Sequence, residues 1–157
     1  MIKVLFICHG NICRSPMAEY VMKDLVHKQG YEKQFHIESR ATSREEIGNH
    51  IHPGTRKKMR EVGIPTDDRC AIQLTSADYK KYDFLIGMDN WNQRNILRIV
   101  GQDPEEKVHL LLEYAGQSRD IADPWYTGNF DATYEDVLLG CNGLMEFILK
   151  QGLIKNL

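Results

Sequence analysis

The chain opens with a strand, a short loop and a helix, and this unit constrains the fold more than any other feature. Residues 2–7 form an almost continuous apolar run, which is typical of a central parallel strand covered on both faces. A turn with Gly10 and Asn11 follows. Ser15 and Pro16 then predict the first turn of a helix, which the serine is able to cap.

Further apolar runs alternate with segments of helical spacing along the rest of the chain. They predict strands at 35–39, 84–86 and 108–111 and helices at 53–62, 90–100 and 134–149. This alternation predicts an α/β fold, a three-layer open sandwich with a central four-stranded parallel sheet flanked by helices. Ligands of such folds bind beyond the carboxyl ends of the strands. We therefore expect the site at the loop after the first strand, where Cys8 stands.

Length, charge and cysteine content narrow the class of protein. The 157 residues suit one domain over 1–157. A net charge of -2 argues against nucleic acid or an acidic membrane as the main partner. The apolar start is too short for a membrane span and lacks the flanks of a secretory signal, so we expect a cytoplasmic protein. The four cysteines have neither C-x-x-C nor zinc-finger spacing, and we interpret them as thiols in a reducing compartment, with no metal site.

Residues 8–15, called the phosphate loop below, carry the clearest chemistry. A glycine-containing turn into a helix points backbone N–H groups into one concavity, where the helix dipole also favours an anion such as phosphate. Arg14 adds a guanidinium able to hold two phosphate oxygens. A thiol facing such a site has its thiolate favoured, so we interpret Cys8 as a nucleophile placed for in-line attack on phosphorus. Ser15 is able to donate its hydroxyl to the sulfur and help it leave.

The other positions of the phosphate loop are interpreted as contacts to the bound group. His9 has no evident role as a base and is interpreted as a pocket-lining residue. Cys13 is either a packed thiol or a redox partner of Cys8, since a loop that surrounds one phosphate brings the two sulfurs near each other. The predicted binding residues of this loop are His9, Gly10, Asn11, Ile12, Cys13 and Ser15.

A second segment, near the end of the chain, supplies a candidate proton donor. Phosphoryl transfer needs a proton for the leaving oxygen, and Asp123 is our candidate. The following Pro124 favours an extended or turn conformation at the aspartate, although Asp123 could simply cap a turn. Trp125 and Tyr126 are interpreted as aromatic walls that stack on a phenyl ring, with core packing as the alternative.

These two segments, CHGNICRSPMAE and DPWYTGNF, resemble those of the low-molecular-weight protein tyrosine phosphatases, in the family's order and at its distance. The resemblance runs over nearly the whole chain. It implies Cys8 as nucleophile, Arg14 as phosphate clamp and Asp123 as acid and then base, with no metal or cofactor. It also implies a tyrosine-phosphorylated protein or peptide as substrate and inorganic phosphate as product.

One position departs from the family's pattern. Residues 39–43 look like the family stretch that supports the loop asparagine, here Asn11. Two residues further on, many members carry an aromatic residue on the pocket rim, and this chain has Glu45, with Glu46 beside it. An acidic rim should disfavour acidic phosphopeptides and favour basic ones.

Three other functions were compared with this one. Phosphoarginine phosphatases of the same scaffold resemble this chain but carry threonine at the position of Ile12, so their hydroxyl is missing here. Thiol-dependent arsenate reductases need further cysteines around the middle of the chain, where only Cys70 is near. A catalytically dead phosphate-binding module should lose the nucleophile or the acid, and both are present. The sequence therefore favours phosphotyrosine hydrolysis.

Overall fold

The computed structural model describes residues 1–155, so the last two residues of the expected 1–157 domain lie outside the described part. Four strands pair in parallel in the order β2-β1-β3-β4. This arrangement confirms the predicted parallel sheet, and each predicted strand lies within two residues of its observed bounds. The strands are Ile2–Cys8 (β1), Phe35–Ala41 (β2), Phe84–Gly87 (β3) and Val108–Leu110 (β4).

Helices cover both faces of the sheet. They are Arg14–Lys28 (α1), Pro53–Glu61 (α2), Asp78–Lys81 (α3), Asn90–Val100 (α4), Pro124–Thr127 (α5) and Phe130–Lys150 (α6), with 3-10 turns at Glu32–Gln34 and Leu111–Ala115. The final helix begins four residues before its predicted start, because Asn129 caps it by accepting from the N–H of Ala132. The short helices α3 and α5 were not predicted, since each has only four residues.

The two faces of β1 pack into separate apolar clusters and so define the three layers. Val4 and Phe6 pack with residues of α1 and α6. Leu5 and Ile7 point to the other face and pack with Ile96 of α4 and its neighbours. All four side chains are fully buried, and burying a side chain of this size contributes about 1.5–3 kcal/mol. The first strand is thus fixed on both sides, and with it the point where the phosphate loop begins.

The register of the sheet brings three loops to one edge. Cys8, the last residue of β1, lies opposite Ala41 of β2, and Ile7 lies opposite Gly87 of β3. The chain therefore leaves all three strands at the same edge, which is where α/β folds bind ligands. None of the helices in residues 1–155 is long and apolar enough to cross a membrane.

Candidate active site

The Cys8 sulfur lies at the base of the phosphate loop, surrounded by hydrogen-bond donors. The backbone N–H groups of Asn11 and Ser15 point to it at 3.3 and 3.4 Å, and the Ser15 hydroxyl oxygen is 3.0 Å away. Helix α1 begins at Arg14 and no side chain caps it. The expectation that Ser15 caps this helix is therefore wrong. Its uncapped N–H groups are what an anion at a helix N-terminus binds.

Asn11 holds the loop in its curled form. Its φ of 60° is left-handed, a conformation that asparagine adopts more readily than most residues. Its side-chain oxygen accepts from the N–H of Ile72 and from Arg69, which also donates to the Asn11 carbonyl at 2.7 Å. Its side-chain nitrogen therefore faces Ser15, donating to Oγ at 2.8 Å. With Oγ accepting this bond, the Ser15 hydroxyl proton is free to point to Cys8.

The support of Asn11 from residues 39–43 is indirect. Ser39 Oγ accepts from Arg69 at 3.3 Å and donates to the buried carboxylate of Glu19 at 2.5 Å. The backbone N–H groups of Thr42 and Ser43 donate to the carbonyls of Cys8 and His9 instead. Arg69 makes the direct contact, and no sequence signal pointed to it.

Arg14 lies beneath the loop, only 2% exposed. It donates to Asp89 Oδ2 at 2.6 Å, to the Ile121 carbonyl at 2.9 Å and to Asp123 Oδ2 at 3.4 Å. Burial acts against its charge, but the negative groups of Cys8, Asp89 and Asp123 outweigh burial and raise the pKa of Arg14. Within residues 1–155 its buried Nε has no hydrogen-bond partner, so this donor is available to a phosphate oxygen.

Asp89 uses its two carboxylate oxygens for two tasks. Oδ2 accepts from Arg14, and Oδ1 accepts from the N–H of Asn92 at 2.7 Å, which caps α4. Sequence reasoning missed this residue. Its position directly before the predicted helix 90–100, near the end of the third strand, was a usable signal, because the strand ends meet at the site.

Asp123 directly precedes α5, in an extended backbone conformation. Its Oδ1 accepts from the N–H of Trp125 at 3.0 Å, and its Oδ2 faces Arg14. The carboxylate caps the turn, as the alternative interpretation had it, and also reaches into the site. Residues 122–129, called the acid loop below, carry Asp123 and both candidate aromatic walls.

The phosphate loop and the acid loop enclose one cavity of about 90 Å³. Trp125 and Tyr126 are 55% and 83% exposed at its mouth. Glu46, not predicted as a site residue, also lines it and packs over Gly10, where a Cβ atom would lie 3.3 Å from Glu46 Cγ. Lining residues are Cys8, His9, Gly10, Ile12, Cys13, Glu45, Glu46, Asp123, Trp125 and Tyr126. Three further residues of the phosphate loop lie behind this lining. Asn11 contacts Ser15, Ser15 contacts Cys8, and Arg14 contacts Asp123.

Comparison with known proteins shows the family of this chain. The family model described as low molecular weight phosphotyrosine protein phosphatase matches residues 3–154. The chain belongs to this family. It is 38% identical over 153 residues to the low molecular weight protein-tyrosine-phosphatase YfkJ of Bacillus subtilis, covering 96% of this chain and 98% of that protein.

Solved structures of the family have the same fold. The crystal structure of YfkJ from Bacillus subtilis matches with a TM-score of 0.93, covering 97% of both chains at 38% identity. SP-PTP, a low molecular weight protein tyrosine phosphatase from Streptococcus pyogenes, matches with a TM-score of 0.83 at 40% identity, covering 99% of this chain and 95% of that one.

On one side of the cavity rim of this phosphatase, a histidine and a glutamate form a polar wall. His9 Nε2 and Glu45 Oε2 are 2.9 Å apart, with their side chains 38% and 70% exposed. Of the residues in 1–155 that line the cavity, none is a lysine or an arginine. The mouth of the phosphatase site is therefore acidic on the side of Glu45 and Glu46 and aromatic on the other.

The second thiol of the phosphate loop, Cys13, differs from Cys8 in its surroundings. Cys13 packs with Ile12 and Ala71 and is 4% exposed. Burial and the neighbouring Cys8 raise the pKa of the Cys13 thiol to about 12. All four cysteines are free thiols, and within residues 1–155 no group of three or more His, Cys, Asp or Glu side chains is placed to hold a metal ion.

Proposed function

We propose that the protein hydrolyses phosphotyrosine monoesters of proteins or peptides through a cysteinyl-phosphate intermediate, without a metal ion. The observation that carries the proposal is the setting of Cys8, whose sulfur faces two backbone N–H groups and the Ser15 hydroxyl. Donors in these positions can hydrogen-bond to the sulfur when it is released from phosphorus. Cys8 itself lines the same cavity as Asp123, a group able to give a proton.

In the first step the phosphate group binds to the N–H groups of the phosphate loop and to Arg14. The Cys8 thiolate attacks phosphorus, so that an S–P bond forms while the P–O bond to the tyrosine breaks. Asp123, in its protonated form, gives its proton to the departing phenolic oxygen. The charge that develops on the phosphoryl oxygens is met by donors already in place.

In the second step a water molecule attacks the phosphocysteine. The Asp123 carboxylate takes a proton from this water, inorganic phosphate forms, and the S–P bond breaks. The Ser15 hydroxyl, held 3.0 Å from the sulfur, donates to the thiolate as it leaves. The cycle begins and ends with an unoxidised Cys8 sulfur that is not in a disulfide, which supports a reducing compartment such as the cytoplasm.

The walls of the cavity support an aromatic phosphomonoester as the substrate. Trp125 and Tyr126 provide exposed rings beside Asp123, and aromatic rings stack on a phenyl group. Ile12, at the cavity wall, offers an apolar surface and no hydroxyl to a phosphoguanidinium group. These features favour phosphotyrosine over phosphoarginine.

Trapping the intermediate tests the proposal. Acid quenching of the enzyme during turnover of p-nitrophenyl phosphate, followed by mass spectrometry of the peptide with Cys8, should show the mass of one added phosphoryl group. EDTA in the assay should leave the rate unchanged. Turnover without any phosphoryl group on Cys8, or loss of activity with EDTA that Mg²⁺ or Zn²⁺ restores, would contradict the mechanism.

A further inference from the structure

His52 lies between the acid loop and the phosphate loop. Its ring meets the Trp125 ring edge-on, with centroids 5.7 Å apart and an interplanar angle of 80°. It stacks on the Phe130 ring, with centroids 5.2 Å apart and an angle of 23°. These two contacts fall just after Asp123 in the chain, at Trp125 and at the first residue of α6.

The segment around His52 is hydrogen-bonded to the phosphate loop. The His52 N–H donates to the Ile12 carbonyl at 2.9 Å, and the buried Thr55 of α2 donates through Oγ1 to the Cys13 carbonyl at 3.2 Å. Phe130 in turn packs against the apolar cluster of Ile12 and Cys13. The His52 ring therefore has a fixed position relative to the loop that carries the nucleophile.

Close contact between α2 and Phe130 gives this arrangement little freedom. A Cβ atom on Gly54 would lie 2.3 Å from the Phe130 ring, so only glycine allows the ring to come this near. Phe130 is seated on the first turn of α2 with the His52 ring against it, and such a packed contact transmits a displacement instead of absorbing it.

His52 performs two tasks that different atoms carry out. Its Nδ1 accepts from the N–H of Gly54 at 2.9 Å and caps α2. Asparagine, aspartate and serine are preferred for that task, and none of them has a ring. The ring contacts with Trp125 and Phe130 are not needed for capping. Trp125 is also the residue whose N–H donates to Asp123 Oδ1 at 3.0 Å, so a ring that fixes Trp125 bears on the carboxylate.

We propose that His52 is a positioning residue for Asp123, acting through its ring contact with Trp125. The ring keeps the acid loop at the distance from the phosphate loop at which Asp123 reaches the leaving oxygen. This inference rests on the proposed role of Asp123 as the general acid. Misplacing a catalytic group by about 1 Å can cost about 10²-fold in rate, so a modest shift of the acid loop is measurable.

Two substitutions separate the ring from the cap. His52→Asn keeps a neutral capping side chain and removes the ring, whereas His52→Phe keeps a ring and removes the capping nitrogen. His50→Asn is the matched control, because His50 is 56% exposed and pairs with Asp68, away from the acid loop. The readout is kcat/KM for phenyl phosphate and for p-nitrophenyl phosphate, together with Tm. The ratio of the two values reduces the contribution of ring stacking, since both substrates carry a phenyl ring.

His52→Asn should lower kcat/KM for phenyl phosphate about tenfold and for p-nitrophenyl phosphate about twofold, because only the poor leaving group depends strongly on the proton. Its Tm should stay within about 2 °C of the unsubstituted protein, as the cap is kept. His52→Phe should keep the substrate ratio of the unsubstituted protein. It should lower Tm by about 2–6 °C through loss of the cap. His50→Asn should change neither quantity.

Asp123→Asn serves as the reference that separates this inference from the proposed function. If Asp123→Asn does not depress phenyl phosphate selectively, the acid role itself is wrong. If it does, and His52→Asn leaves the substrate ratio unchanged, His52 merely caps α2 and the positioning role is overturned. The role is also overturned if His52→Phe shows the same altered ratio as His52→Asn, because the ring would then not be what matters.

Discussion

The floor and the rim of the cavity are built in opposite ways. At the floor, Cys8, Asn11 and Arg14 are nearly or fully buried, and each has hydrogen bonds to at least two partners. At the rim, Tyr126 is 83% exposed, and the Glu45 side chain is 70% exposed with His9 as its partner. Under the proposed mechanism, the groups that carry out the chemistry are therefore fixed, while the groups expected to meet the rest of a substrate are free to adapt.

This difference predicts how substitutions should act. Changes at the floor should remove catalysis by large factors, because buried donors and charges have no substitutes. Changes at the rim should alter the choice among substrates by small factors, since exposed charge pairs contribute about 0.2–1 kcal/mol each.

Substituting the nucleophile should have the largest effect. Cys8→Ser should lower turnover of p-nitrophenyl phosphate by about 10⁴-fold or more, because a serine hydroxyl in this setting has no base to activate it. Phosphate should still raise the Tm of the variant, as the N–H groups and Arg14 remain. Residual turnover above a few per cent would show that Cys8 is not the attacking group.

Substituting the acid should come next. Asp123→Asn should cost about 10²–10⁴-fold with phenyl phosphate and clearly less with p-nitrophenyl phosphate, the substrate with the better leaving group. The comparison is made on kcat/KM, which includes the step that expels the leaving group. Equal losses with both substrates would remove Asp123 from the role of acid.

Asp89 tests whether the floor depends on a residue that sequence reasoning missed. Asp89→Asn keeps an oxygen to cap α4 but removes one of the two carboxylates to which Arg14 donates, and a hydrogen bond to a charged group is worth about 1.5–3 kcal/mol. We expect kcat/KM to fall about tenfold with little change in Tm. Asp120→Asn is the control, since the Asp120 side chain accepts from the N–H of Asn90 and makes no other hydrogen bond within residues 1–155. If Asp89→Asn lowers Tm markedly along with kcat/KM, Asp89 only stabilises α4.

Comparison of the two loop thiols gives a smaller, redox-dependent effect. Peroxide should oxidise Cys8 to a sulfenic acid, which the Cys13 thiol then converts to a disulfide with release of water. Because its pKa of about 12 keeps Cys13 protonated at neutral pH, closure should be slow at pH 7 and faster as pH rises towards 12.

The experiment measures activity recovered with dithiothreitol after peroxide. The unsubstituted protein should recover several-fold more activity than Cys13→Ser, and bound phosphate should protect both. Equal recovery, with no Cys8–Cys13 link in mass spectra, would leave Cys13 as packing alone.

The rim should give the smallest effect. Glu45→Gln should lower the preference for phosphopeptides with lysine beside the phosphotyrosine, relative to glutamate, by about two- to fivefold at low salt. The preference should weaken as salt is added, because the charges are exposed. A preference unchanged by the substitution would assign the rim to shape instead of charge.

The central strands β1 and β3 were predictable from the sequence because they are short, mostly buried apolar runs, whereas β2 alternates buried and more exposed residues. The predicted helix at 90–100 has its observed bounds, since the apolar spacing and the helix coincide there. The start of α6 was missed because the Asn129 cap sets it at Phe130, four residues before the apolar stripe becomes regular. Four-residue helices such as α5 have too little periodicity to be detected.

The site divides along the same line. Residues that act from one contiguous segment, such as the phosphate loop, were predictable because their spacing carries the chemistry. Arg69 lies 58 residues from Asn11, and Asp89 lies 75 residues from Arg14. Only the fold brings these pairs together, so a motif cannot contain them.

Asn11 meets several requirements at once, and together they restrict what can replace it. Glycine would tolerate the φ of 60° but would leave Arg69 and the N–H of Ile72 without their side-chain acceptor. Aspartate would keep that acceptor but has no N–H to give to Ser15. The Ser15 hydroxyl would then turn its proton towards the new carboxylate and away from the sulfur. The single amide group of Asn11 thus determines in which direction the hydroxyl proton of Ser15 points.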